Sequence, residues 1–108
     1  CRVQAGLDEV AEKTVLCLKR TVPAAVPSVV FLSGGQSDIN ATSHLNAMNA
    51  GYDFPWNLSF SYGRALQAAP LKAWGGNNDN FPAAQAAFSH RARMNGLATT
   101  GAWGENLE

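Results

Sequence analysis

The stretch "SVVFLSGGQS", residues 28 to 37, runs a short apolar segment straight into a loop almost bare of side chains. Val29, Val30, Phe31 and Leu32 form the continuous apolar run expected of a strand buried on both faces, as in a parallel sheet covered by helices. Two successive glycines, Gly34 and Gly35, let the backbone take positive φ and leave N–H groups open to a close ligand, with phosphate the natural candidate. The same ten residues would also serve a plain strand-to-helix turn, because glycine is the default turn residue.

The flanking segments set this stretch in an alternating pattern. From Leu7 to Arg20, the apolar residues Leu7, Val10, Ala11, Val15 and Leu18 recur at three- and four-residue steps. Asp8, Glu9 and Glu12 stand early and Lys19 and Arg20 late, so the charges complement the helix dipole. Pro23 and Pro27 stop the helix before the strand. After the glycines, Ser37 and Asp38 are able to cap a second helix carrying Ile39, Leu45 and Met48, which Gly51 and Pro55 close. In "WNLSFSYGR", residues 56 to 64, Trp56, Leu58 and Phe60 alternate with polar residues, which reads as a second strand. A helix from about Arg64 to Lys72 follows, then a turn at Gly75–Asn78 and a longer helix from about Phe81 to Leu97. Strands alternating with helices imply crossover connections and a parallel sheet, with residues 28 to 33 beside residues 56 to 61.

Parallel neighbours bring both strand ends to one sheet edge, the edge where ligands bind in open α/β sheets and in barrels. There the Ser33 hydroxyl, the N–H groups of Gly34, Gly35 and Gly63, a helix start and the Arg64 guanidinium would meet. The forked donors of arginine match phosphate geometry, and a helix N-terminus adds partial positive charge. A dianion would then be held without any wider basic patch.

Composition bounds the function classes. At 108 residues and 46% hydrophobic, the chain has the size of one small globular domain. Eight basic residues balance eight acidic ones, which leaves no charge footprint for nucleic acid or an anionic membrane. No apolar run approaches the roughly 20 residues of a membrane-spanning helix. Cys1 and Cys17, without a signal-peptide pattern, read as reduced thiols in a cytoplasmic protein, unbridged, with Cys17 a core filler. The sequons at Asn40 and Asn57 have meaning only in a secreted chain. His44 and His90 are read as surface residues without metal-ligand spacing. Trp56 and Trp74 are read as packing residues and Trp103, in a Gly-rich tail, as mobile. Ala83, Ala84, Ala86 and Ala87 are expected to allow close helix packing.

Three segments then carry a resemblance. "RTVPAAVPSVVFLSGGQS", "LNAMNA" and "LSFSYGRALQAAPLKAWGG" resemble, in order and spacing, the C-terminal part of class I fructose-bisphosphate aldolase, over roughly residues 7 to 101. The resemblance implies the C-terminal portion of a (β/α)8 barrel, two parallel strands with flanking helices, as a single partial domain over residues 1 to 108. It implies a cytosolic, metal-free and cofactor-free lyase of glycolysis, usually tetrameric. Such an enzyme reversibly cleaves fructose 1,6-bisphosphate to dihydroxyacetone phosphate and glyceraldehyde 3-phosphate. In the family motifs, the positions of Ser33, Gly34, Gly63 and Arg64 hold a substrate phosphate. The family's Schiff-base lysine lies in an upstream "LLKPNMV" segment that has no counterpart here, so no catalytic residue is assigned in this chain. Two strands cannot close an eight-stranded barrel, and the 108 residues are therefore read as part of a longer polypeptide. A different barrel enzyme acting on a sugar or triose phosphate, and a non-catalytic binding module or remnant, remain open alternatives.

Overall fold

A computed structural model describes residues 2–108; the expected free thiol of Cys1 lies outside the described residues. The chain runs α1 (Leu7–Thr21), β1 (Ser28–Phe31), α2 (Asp38–Gly51), β2 (Asn57–Phe60), α3 (Arg64–Trp74) and α4 (Phe81–Ala98), with short 3-10 turns at Asn78–Asn80 and Glu105–Leu107. This is the α/β order expected from the periodicities. The strands pair in parallel, Ser28 opposite Asn57 through Phe31 opposite Phe60. Val29, Leu58, Phe31 and Phe60 thus share one face and pack on the core formed by Ala11, Val15, Leu45, Met48 and Ala98.

Within this chain, burial on both faces of β1 is not met. Val30 is 58% and Leu32 77% exposed, because the two-stranded sheet has helices only on the side of Val29 and Phe31. Cys17 is exposed rather than core. Val15 points inward on α1, and a residue two positions on lies about 200° around the helix, on its outer face. Ile39 (43%) and Trp74 (37%) are also more exposed than expected. Trp103 is not loose: it is half-buried against the core, and its backbone N–H donates to Asn46 Oδ1 at 3.0 Å.

Helix ends follow local chemistry. Ser37 Oγ accepts from Asn40 N at 3.2 Å as the N-cap of α2. Helix α3 runs to Trp74, past Lys72, because Pro70 forfeits only the bond to the Leu66 carbonyl; it stops at Gly75, whose φ of 58° is left-handed. One side chain ties three elements together. Asn49 Nδ2 lies 3.2 Å from Leu45 O, 3.3 Å from Leu58 O and 3.0 Å from Ala98 O, fastening α2 to β2 and α4. Among the described residues, no helix is long and apolar enough to cross a membrane.

Candidate functional site

The strand register decides what meets at the sheet edge. Ser61 N donates to Phe31 O at 2.8 Å, extending the ladder one step past β2. The first loop, Ser33–Gln36, and the second, Tyr62–Arg64, therefore leave the sheet at the same end. All five residues singled out in the sequence, Ser33, Gly34, Gly35, Gly63 and Arg64, belong to these two loops.

The first loop is a tight turn closed by Gln36 N donating to Ser33 O at 3.0 Å. Gly34 (φ 60°) and Gly35 (φ 85°) are both left-handed, and nothing lies within 4 Å of where a Cβ would stand on either. Neither glycine N–H has an acceptor among the described residues. Ser33, at the start of the turn, is 5% exposed. In the second loop Gly63 precedes α3, and its carbonyl accepts from Leu66 N and Gln67 N at 3.2 and 3.1 Å. Arg64 is exposed, with no acid in the first turn of α3 and no ion pair among the described residues. An unopposed guanidinium, free amides from two loops and a serine hydroxyl are the donor types that suit an anion.

Sequence reasoning left out the groups that brace these loops. Tyr62 is 7% exposed, and its hydroxyl donates to Ala41 O at 2.8 Å, tethering the second loop to α2. Burial pushes its phenol up to about 12. His44 is half-buried, with Nδ1 2.9 Å from Gln36 Oε1, and burial lowers its pKa, which favours the neutral ring. The alternation in "FSY" marks Tyr62 as a core-facing position, but nothing local in the sequence pairs His44 with Gln36. Among the described residues, no group of three His, Cys, Asp or Glu side chains is placed to hold a metal.

A further polar cluster lies at the start of α2. Arg91 on α4 is 4% exposed and grips both oxygens of Glu108, with Nη2 to Oε1 at 3.0 Å. Glu108 also accepts from Trp103 Nε1 at 3.0 Å and faces His90 Nε2 at 3.3 Å. Desolvation pushes the Glu108 carboxyl up, but the hydrogen bonds from Arg91, Trp103 and His90 and the charge of Arg91 outweigh it and hold it below the usual glutamate value.

The loops, their spacing and their order find a match in known proteins. The family model described as "Glycolytic: Fructose-bisphosphate aldolase class-I" covers residues 1–108. The chain belongs to this family. A probable class 1 fructose-bisphosphate aldolase of Xylella fastidiosa (strain Temecula1) is 58% identical over 104 residues, which are 95% of this chain and 31% of that protein. The cytosolic fructose-bisphosphate aldolase 6 of Arabidopsis thaliana is 58% identical over 95 residues, 87% of this chain and 26% of the relative. Among solved structures, the fructose-bisphosphate aldolase of Plasmodium falciparum, in a ternary complex with TRAP and a small-molecule inhibitor, superposes with a TM-score of 0.92 at 47% identity. That alignment takes in 96% of this chain and 30% of the other. The chain thus spans under a third of the length of these aldolases.

Proposed function

We propose that the chain forms the C-terminal portion of the (β/α)8 barrel of a class I fructose-bisphosphate aldolase, as one partial domain over residues 1–108. Its task in the reversible cleavage of fructose 1,6-bisphosphate is to hold a substrate phosphate. Ser33, Gly34, Gly35 and Gly63 supply neutral donors, and Arg64 supplies the charge. The single observation that carries this reading is the convergence of two open glycine loops at one end of a parallel strand pair, with Arg64 unpaired beside them.

The mechanism follows from that geometry. Anchoring the phosphate at a fixed edge orients the attached carbon chain, so that the ketone is held for attack by an amine elsewhere in the barrel. The imine then acts as the electron sink for carbon–carbon cleavage. No residue of this chain is assigned the imine-forming role. The Arabidopsis relative is named as cytosolic, which supports a cytoplasmic location; a metal-free enzyme and a homotetramer are proposed from the family resemblance.

Borohydride trapping tests the reading. The natural polypeptide that carries this segment is incubated with dihydroxyacetone phosphate and reduced. An intact mass well above that of 108 residues, raised further by the trapped triose phosphate, is the expected result. A polypeptide that traps no ketose phosphate would sink the assignment.

A further inference from the structure

The strap that follows α4 runs back along α2. It begins at Gly101, which turns against Ala50 near the end of α2. Trp103 then donates its N–H to Asn46, and the strap reaches Glu108 at the start of the same helix, in a cleft shared with Asp38, His90 and Arg91. There the polar contacts form a continuous chain. Arg91 Nη2 donates to both Glu108 Oε1 and Thr42 Oγ1, the latter at 2.8 Å. The Thr42 hydroxyl, fully buried, lies 2.9 Å from Asp38 O and 2.7 Å from Asn95 Oδ1. Asp38 is the first residue of α2 and follows the Ser37 cap, which itself follows the Gly34–Gln36 turn.

A guanidinium stays protonated at any accessible pH, so a buried one requires a counterion. Glu108 is the acid that contacts it. The Thr42 hydroxyl has a single proton for two acceptors, and the N–H that Arg91 drives into its oxygen turns that proton toward them. Without Glu108, Arg91 would leave Thr42 for water or another acid, and the first turn of α2 would lose its bracing.

We propose that Glu108 is a positioning residue for the phosphate loop, acting through Arg91 and Thr42 on the first turn of α2. The inference rests on reading Ser33–Gly35 as part of the phosphate site. The loop holds two adjacent left-handed glycines and is anchored downstream through Ser37, this turn and the contact between Gln36 and His44, so loosening the turn lets the amides of Gly34 and Gly35 point away from a bound anion. The cost then appears as affinity lost to ordering the loop on binding.

Inorganic phosphate titrated into the full-length polypeptide that carries this segment, isotope-labelled, with amide NMR on Gly34 and Gly35 and hydrogen exchange at Asn40, Ala41 and Thr42, tests it. Glu108→Gln is expected to weaken phosphate binding about five- to tenfold and to speed exchange at those three amides by a similar factor. Thr42→Val should do the same, and the double variant should be no worse than either single one, because both act through one chain of contacts. Glu108→Asp, which keeps the charge, is expected to recover part of the loss, and exchange in α1 reports whether each variant is folded. Arg64→Ala should abolish phosphate binding and leave exchange in α2 unchanged. If the parent chain binds phosphate and Glu108→Gln binds it equally well, or if Glu108→Gln and Thr42→Val are additive, the inference fails alone. If the parent binds no phosphate, the loop reading fails and takes the inference with it.

Discussion

Arg64 stands apart from the other loop residues because it alone brings charge. Charge-assisted, bidentate bonds are about twice as strong as neutral ones, whereas Ser33 and the glycine amides offer neutral donors. In the complete enzyme, Arg64→Ala is therefore expected to cost roughly 2 to 4 kcal/mol in kcat/KM for the bisphosphate, and Arg64→Lys to recover only part, since an ammonium keeps the charge and loses the fork. An analogue lacking that phosphate should be nearly indifferent to both changes; equal losses on the two substrates would refute the clamp. Tyr62 gives a second test, on pH. Its phenol is neutral in the fold up to about 12 but ionises near 10 in an unfolded chain. Its raised value means that the stability it contributes is full below pH 10 and is lost as pH rises toward 12. Urea midpoints measured between pH 9 and 11.5 should fall more steeply in the parent than in Tyr62→Phe. The placement of the five loop residues after two parallel strands was legible in the sequence, because glycine pairs and a neighbouring arginine are local signals. The brace between Glu108, Arg91 and Thr42 was not, because its partners lie 17 and 49 residues apart and no periodicity links them.

Elements were legible where a pattern repeats and misread where only a neighbour decides. The heptad-like spacing of α1 and the alternation around β2 located both to within a residue or two. The apolar run of β1 has no alternation, so composition alone could not say whether one face or two are covered; in this chain the face of Val30 is open. The turn from α4 into the strap shows how a single glycine sets the relation of two elements. Gly101 has φ 72°, and a Cβ there would stand 2.9 Å from Ala50 Cα and 3.0 Å from Ala50 N. The obstacle is backbone, which cannot swing aside as a side-chain tip can. Gly101→Ala is expected to destabilise the chain by about 2 to 4 kcal/mol, combining left-handed strain with overpacking. Urea denaturation checks this, and a loss under half a kcal/mol would show that the strap does not pack on α2 in solution.

At the scale of the molecule, the chain carries more surface than a self-contained domain needs. Its accessible area is 6873 Å², against about 5,800 Å² for a monomer of this mass, and its radius of gyration is 15.2 Å, against about 13 Å. The excess is partly apolar. Leu32 is 77% exposed beside an unpaired strand edge, and Leu71 (59%), Phe81 (54%) and Phe88 (45%) line the groove between α3 and α4. Such edges and patches invite association. The 108-residue chain alone is expected to associate with rising concentration in sedimentation velocity, and Leu32→Lys to reduce that association; a monomer at all concentrations would refute it. The strap also has a consequence in time. Helices α3 and α4 are joined by a short turn and pack on each other, so their contacts are local and quick to form. Glu108, by contrast, leaves the ribosome after every residue it braces, and a chain that folds from its N-terminus during synthesis displays its glycine loop before the brace exists. Pulsed hydrogen exchange during refolding should protect α3 and α4 before Asn40–Thr42, and simultaneous protection would contradict this order. Ordering of the glycine loop is then a late event, timed by the arrival of Glu108 rather than by the loop's own emergence.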